Sequence, residues 1–308
     1  MTPMRPRLSL LIAAAGLAVL ALFTAGCHQK GPQRAYCPAG EKCLEYGNTS
    51  EPNSLDPQII TSVTEFAIVG ELMQGLMMDG PSGEPVPGLA YRWETSPDGL
   101  IWTFHIRPAK WSDGKPVTAD DFVYAYRRIL DPKTASPYAY MLYLLKNGEK
   151  LSSGDPSVRP QDIGVRALDA HTLELTLDHP APYLPQILRH STYYPVPAHV
   201  VAKWGAKWVQ PAHYVGDGPY KLVDWRLGDY VRIDKNPNFW QAEKVCFDRI
   251  TFYPSPDVVT AERRVKRGEL DINNTIQSSR VAFLRQPDQM PRYVRTHPYL
   301  STSYVIFN

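Results

Sequence analysis

Eight histidines and four cysteines are the residues with which this 308-residue chain could do the most demanding chemistry. No His-Glu-x-x-His spacing occurs, no Cys-x-x-Cys pair, and no His-Cys cluster, so no zinc site is written in the sequence. There is no Gly-x-Ser-x-Gly nucleophile turn. The glycines of Gly216-Asp217-Gly218 are not followed by Lys-Ser or Lys-Thr, so they do not form a phosphate-binding loop. Asp120 with Asp121, and Glu269 with Asp271, read as a helix N-terminus and a turn rather than as an acid-base pair. The residues therefore point away from an enzyme, a metalloprotein or a cofactor carrier. What the chain does have is 18 Tyr and 7 Trp, rings that are apolar yet hydrogen-bonding, which suit a ligand cleft as well as a core.

The cysteines speak for the compartment. Arg5 and Arg7 precede an apolar run from Leu10 to Phe23 that is short for a membrane span and reads as a secretory signal over residues 1–26. The run ends in Thr24-Ala25-Gly26-Cys27, small residues before a cysteine, as in lipoprotein signals, although Thr24 stands where Leu is usual. Cys27 is expected to carry lipid and tether the domain to a membrane surface. An ordinary cleaved signal with an incidental cysteine is the alternative. Cys37 and Cys43 flank Pro-Ala-Gly-Glu-Lys, and in an exported chain they are expected to form a small-loop disulfide, with two free thiols as the other possibility. Cys246 sits in a strand-like run and is expected to be a buried small hydrophobe. Cleavage before Cys27 leaves 31 basic and 31 acidic residues, which argues against a nucleic-acid partner.

These residues need elements to hold them. A polar linker is expected over 27–46. Ser54-Leu55-Asp56-Pro57 is a turn, after which Phe66, Ile68, Val69, Leu72, Met73, Leu76 and Met77 recur at helical spacing as a core stripe. Asp98-Gly99 turns the chain into a strand with Trp102, Phe104 and Ile106 on one face. Trp111-Ser112-Asp113-Gly114 is a further turn. Thr118 then caps a helix, Asp121 nearly completes a capping box, and Asp131-Pro132 stops it, with Phe122, Val123, Tyr126, Ile129 and Leu130 buried. Leu173, Leu175 and Leu177 mark another strand. Two strands follow Gly218, the run Lys244 to Pro254 is a third, and a helix then ends at Gly268 before a short strand. The high proline count, 29, fits many turns and no helical bundle.

The pieces NSLDP, WTFHIRPAKWSDGKPVTADDFVYAYRRILDPKTASPYA, LDAHTLELTLDHPAPYL, GDGPYKLVDW, NPNFW and RRVKRGELDI occur in this order. Together they closely resemble the oligopeptide-binding receptors of ABC importers, the family-5 extracellular solute-binding proteins. The resemblance covers nearly everything after about residue 45. It implies an α/β, periplasmic-binding-protein-like two-lobe fold with an extra satellite domain, closing over its ligand by a hinge. The first lobe would comprise 47–73 and 198–300, and the satellite 74–197. Residues 301–308 would begin a second lobe that is otherwise missing, so that the second lobe is truncated. That lobe would carry the charges that meet the peptide termini, and Ser301 stands where close relatives have a disulfide cysteine.

A receptor for many peptide sequences must bind the shared backbone, for instance by adding the peptide as a strand to an exposed edge. The resemblance places Thr61, Ser62, Val63 and Thr64 at that edge, acting mainly through backbone groups, with Tyr138 and His190 lining the cleft. Asn273 and Asn274 are further candidates. The expected partners are an oligopeptide and the permease subunits in the membrane, at the periplasmic face or in the periplasm. No cofactor is implied. The same fold could take murein peptide, dipeptide, sugar or metal chelate, or survive as a non-transporting surface lipoprotein. The 308 residues alone are expected not to bind peptides tightly.

Overall fold

The computed structural model describes residues 37–296. The signal segment, Cys27 and Ser301 with the rest of 301–308 lie outside the described residues.

Two sheets organise the chain. The first has five strands in the order β11-β1-β10-β9-β8. Its members are β1 (Cys43–Asn48), β8 (Tyr220–Arg226), β9 (Tyr230–Lys235), β10 (Arg249–Pro254) and β11 (Ile272–Asn273). β1 runs parallel to both β10 and β11, while β10-β9 and β9-β8 are antiparallel. The second sheet is antiparallel, in the order β4-β5-β7-β6, from β4 (Ala90–Thr95), β5 (Ile101–Ile106), β6 (Val165–Asp169) and β7 (Thr172–Thr176). A small hairpin, β2 (Met77–Asp79) with β3 (Pro85–Pro87), lies between them in sequence.

The alternation read from the sequence appears in β5, where Trp102, Phe104 and Ile106 are buried, and in β7, where Leu173 and Leu175 are. Helix α2 (Ala119–Leu130) lays Phe122, Tyr126, Ile129 and Leu130 into the core, each contributing roughly 2 kcal/mol by leaving water. Asp121 Oδ2 accepts the Thr118 N–H at 2.8 Å and the Trp111 Nε1–H at 3.4 Å. The Trp-Ser-Asp-Gly turn and the helix start thus share one carboxylate.

Three expectations change. The linker ends at Cys43, not at residue 46, because Cys43–Asn48 is strand β1. Helix α1 (Val63–Leu72) stops before Leu76 and Met77, and Met77 already opens β2. Those two side chains are buried as expected, but from an extended segment. Cys246 is exposed and lies outside β10, which begins at Arg249, so it packs no core.

The Gly216-Asp217-Gly218 segment has a packing role. A Cβ on Gly216 would stand 2.1 Å from the Leu72 carbonyl oxygen, and one on Gly218 would stand 2.5 Å from Met73 N. Only glycine lets the chain entering β8 press against the end of α1, where the Gly218 N–H donates to Leu72 O at 3.0 Å.

Candidate ligand-binding site

The carboxyl ends of parallel strands are where α/β folds leave a crevice. Here β1 and β11 end side by side, and α1 starts 15 residues after β1. Asn48 at the end of β1 donates from Nδ2 to Thr64 O at 3.1 Å. Ser50 Oγ meets Thr64 Oγ1 at 3.2 Å, and Thr64 Oγ1 meets Ser62 Oγ at 2.8 Å. The segment 61–64 is therefore strapped to the strand end by a chain of hydroxyls and an amide.

Glu65 holds the strap from inside. Oε2 accepts the N–H groups of Thr61 and Ser62, both at 3.0 Å, and Oε1 those of Asn53 at 2.9 Å and Ser54 at 3.3 Å. Burial pushes this carboxyl up, but the amide donors outweigh it and hold it below the usual carboxylate range. Two of the four strap amides are thus engaged within the protein, which narrows the expectation that 61–64 act mainly through backbone groups. Val63, 60% exposed, stands at the first helical position of α1.

Tyr138 and His190 come together beside the strap. Their rings are 5.3 Å apart, edge to face, and the Phe66 ring lies 5.1 Å from His190 and 6.4 Å from Tyr138. Tyr140 extends the cluster at 6.0 Å from Tyr138 and is exposed. Thr192 donates its N–H to His190 Nδ1 at 3.3 Å. The Thr192 hydroxyl lies 2.5 Å from the same nitrogen, and with Nδ1 accepting, the neutral ring carries its proton on Nε2. Burial holds His190 below its ordinary pKa, opposed in part by Asp79.

Asn273 and Asn274 fall on a different part of the strand ends. Asn273 pairs with Gly47 across β1-β11, and the Asn274 N–H donates to Gly47 O at 3.2 Å. Both line a cavity of about 470 Å³ together with Val265, Leu284, Met290 and Val294. Thr275 Oγ1, next in the chain, reaches Thr49 Oγ1 at 3.1 Å, so this group and the strap flank the same turn after β1.

Phe66 and Glu65 are the residues that sequence reasoning left out of the site. Phe66 reads as core stripe, yet it is only half-buried and faces His190. Glu65 was legible in Ser62-x-x-Glu65, the spacing of a capping box. Cys37 and Cys43 are bonded to each other. Among the described residues no three His, Cys, Asp or Glu converge to hold a metal, and no helix is long and apolar enough to cross a membrane.

A mixed sheet with a strap tied to the end of its parallel strand β1, and an antiparallel sheet inserted between β1 and β8 in sequence, defines an α/β fold. The chain belongs to the bacterial extracellular solute-binding proteins, family 5, whose Middle model matches residues 84–308. It is 40% identical over 273 residues to the periplasmic oligopeptide-binding protein OppA of Salmonella typhimurium, covering 88% of this chain and 50% of that protein. The periplasmic murein peptide-binding protein MppA of Escherichia coli is 35% identical over 84% of this chain and 48% of its own length. Among solved structures, Haemophilus influenzae OppA in complex with RPPGFSPFR superposes with a TM-score of 0.77 at 34% identity, over 80% of this chain and 48% of that one. The chain spans about half the length of the curated relatives it matches.

Proposed function

We propose that this chain supplies the first lobe and satellite domain of a receptor that captures oligopeptides outside the cell membrane and hands them to an ABC permease. The observation that carries the reading is one convergence. Exposed Val63 opens α1 on a segment tied to the carboxyl end of the parallel strand β1, and the Tyr138–His190 ring pair packs on Phe66 of the same helix. A strap of this kind offers an extended peptide an edge, and the rings offer an apolar wall with a hydrogen-bonding tip. Thr61, Ser62, Val63, Thr64, Tyr138 and His190 are the proposed contacts, with Asn273 and Asn274 along the adjoining cavity. With its start moved to Cys43, where β1 begins, the first lobe is taken as 43–73 with 198–300, and the satellite as 74–197. In support, the antiparallel four-stranded sheet draws only on the satellite residues. Export by residues 1–26, a lipid on Cys27 and a periplasmic location complete the reading; relatives named as periplasmic oligopeptide-binding proteins support the location.

The test is calorimetric. Full-length protein, stripped of ligand by unfolding and refolding, is titrated with linear tripeptides and pentapeptides of unrelated sequence, and with murein tripeptide. Micromolar or tighter binding of several unrelated linear peptides is expected. Exclusive binding of murein tripeptide would transfer the site to the ligand class named for MppA. Binding of no peptide at all would end the proposal.

A further inference from the structure

The turn Leu55-Asp56-Pro57-Gln58 lies outside the proposed contacts, yet the strap, Tyr138 and His190 all hang from it. Asp56 is 3% exposed and Gln58 1%. Asp56 Oδ2 accepts from Arg128 Nη2 at 2.6 Å and from Trp208 Nε1 at 3.1 Å, and Oδ1 accepts from Arg128 Nη1 at 3.2 Å. Arg128 Nη1 also donates to Gln58 Oε1 at 2.5 Å, and Gln58 Nε2 donates to Ala125 O at 2.7 Å. The turn is thereby riveted to the last two turns of α2. On the other side, Ser136 Oγ donates to Gln58 O at 2.5 Å and Ser191 Oγ reaches Pro57 O at 3.5 Å.

The spacing along the chain gives these bonds their meaning. Thr61 stands three residues after Gln58. Tyr138 stands two after Ser136, and its own N–H donates to Ser136 Oγ at 3.3 Å. His190 stands immediately before Ser191. Three chain segments far apart in sequence are each fixed to one buried turn, one to three residues away from a proposed contact.

We infer that the buried Asp56–Arg128 fork is a positioning device that sets the strap 61–64, Tyr138 and His190 in register with one another. The inference rests on the peptide-site reading for its meaning. The physical argument is geometric: a guanidinium fork holds a carboxylate by two bonds in one plane and fixes orientation, which an ammonium on a flexible stem does not. Removing one partner outright would strand a buried charge and threaten the fold, so the informative change is conservative.

The experiment compares Arg128→Lys with Arg249→Lys in the full-length protein. Arg249 makes an equivalent fork with Asp234, at 2.7 and 2.8 Å, away from the turn. The first readout needs no ligand: the NMR shifts of the His190 ring, which lies in the ring-current field of Phe66 and Tyr138. Arg128→Lys moves these resonances, and Arg249→Lys leaves them in place. The second readout is a double-mutant cycle on peptide affinity. Arg128→Lys weakens binding about tenfold, and Tyr138→Ala costs clearly less in that background than in the wild type, because the ring is already out of register. Unmoved His190 resonances together with an unchanged cost of Tyr138→Ala would overturn the inference. If Arg128→Lys fails to fold, Ser136→Ala, which cuts the tie to Tyr138 alone, is read by the same two measurements and decides it. A wild-type protein that binds no peptide defeats the function proposed above, while the ligand-free His190 shift still decides the positioning role.

Discussion

Ser62 and Glu65 close the first turn of α1 in both directions: Ser62 Oγ accepts the Glu65 N–H at 3.3 Å, and Glu65 Oε2 accepts the Ser62 N–H at 3.0 Å. The same carboxylate gathers three further amides, so one side chain that is 2% exposed orders residues 53–62. Replacing Glu65 by Gln keeps the shape but removes the charge that makes these bonds strong. A loss of about 1–3 kcal/mol is expected in urea unfolding at neutral pH. The folded carboxyl lies below its ordinary value. Its contribution is therefore present above that ordinary value and is lost as pH falls through the folded one. Acidification should cost the wild type more than Glu65→Gln. Equal acid sensitivity would remove Glu65 from this role.

Asp217 has the opposite sign. It is fully buried; Oδ1 accepts the Gln74 N–H at 3.0 Å, and Oδ2 has no partner among the described residues. Burial pushes its carboxyl up to about 8, against the Gln74 amide and with help from Asp121. The folded state keeps a proton that the unfolded chain has already released. Stability therefore falls as pH rises from the ordinary aspartate range to about 8, then levels off. Asp217→Asn should flatten this slope and overtake the wild type on the alkaline side, by an amount on the order of a few kcal/mol. Thermal melts across that range check it. Parallel curves for the two proteins would show that Asp217 is not the group that titrates.

Strands β5 and β7 and helix α2 were legible because their signals are local: alternation, a cap, a stopping proline. β1 was not, and its burial explains why. Its inward positions include Glu45, only 2% exposed, whose carboxylate accepts the Tyr253 hydroxyl at 2.8 Å. A buried acid breaks the apolar alternation by which a strand is recognised, so Cys43 to Tyr46 reads as linker. Phe66 was read only in part: it packs against the core as expected, but its ring also faces His190. Periodicity places a residue on a helix face but does not say whether the core or a half-open cluster covers it. The Asp56–Arg128 fork joins residues 72 positions apart, and no local pattern announces such a pair. Of the site, the strap and the cleft positions of Tyr138 and His190 were expectations from family resemblance, the contact between the two rings was legible in neither pattern nor resemblance, and the capping spacing at Ser62 was written in the residues themselves.

The Cys37–Cys43 bond closes a loop of largely exposed residues at the start of β1. Lys42 is held independently, its N–H donating to Asp248 Oδ2 at 2.9 Å and its carbonyl accepting the Asp248 N–H at 2.8 Å. Reduction should lower global stability by about 2 kcal/mol or less, as expected for so short a loop. Faster hydrogen exchange should be confined to residues 37–41. Loss of protection through β1 and β10 would mean that the disulfide holds the sheet itself.

His190 offers the sharpest pH signature at the site. With Nδ1 accepting from the Thr192 N–H and hydroxyl, at 3.3 and 2.5 Å, the neutral ring carries its proton on Nε2 as a donor. Burial lowers the ring's pKa, so the unfolded chain takes up its proton first as pH falls. The contribution to stability is thus constant above the ordinary histidine range and is lost below it. Protonation also turns Nδ1 from acceptor to donor, which breaks its bond from the Thr192 amide and leaves the Thr192 hydroxyl as its acceptor, shifting the ring between Phe66 and Tyr138. Peptide affinity should therefore hold steady above neutrality and weaken in mild acid. His190→Phe keeps the ring packing but removes the Nε2 donor. It should bind about tenfold more weakly at neutral pH, the worth of one buried hydrogen bond, and show no further decline on acidification. Nitrogen-15 shifts that put the neutral proton on Nδ1, or an acid decline that persists in His190→Phe, would reverse this assignment.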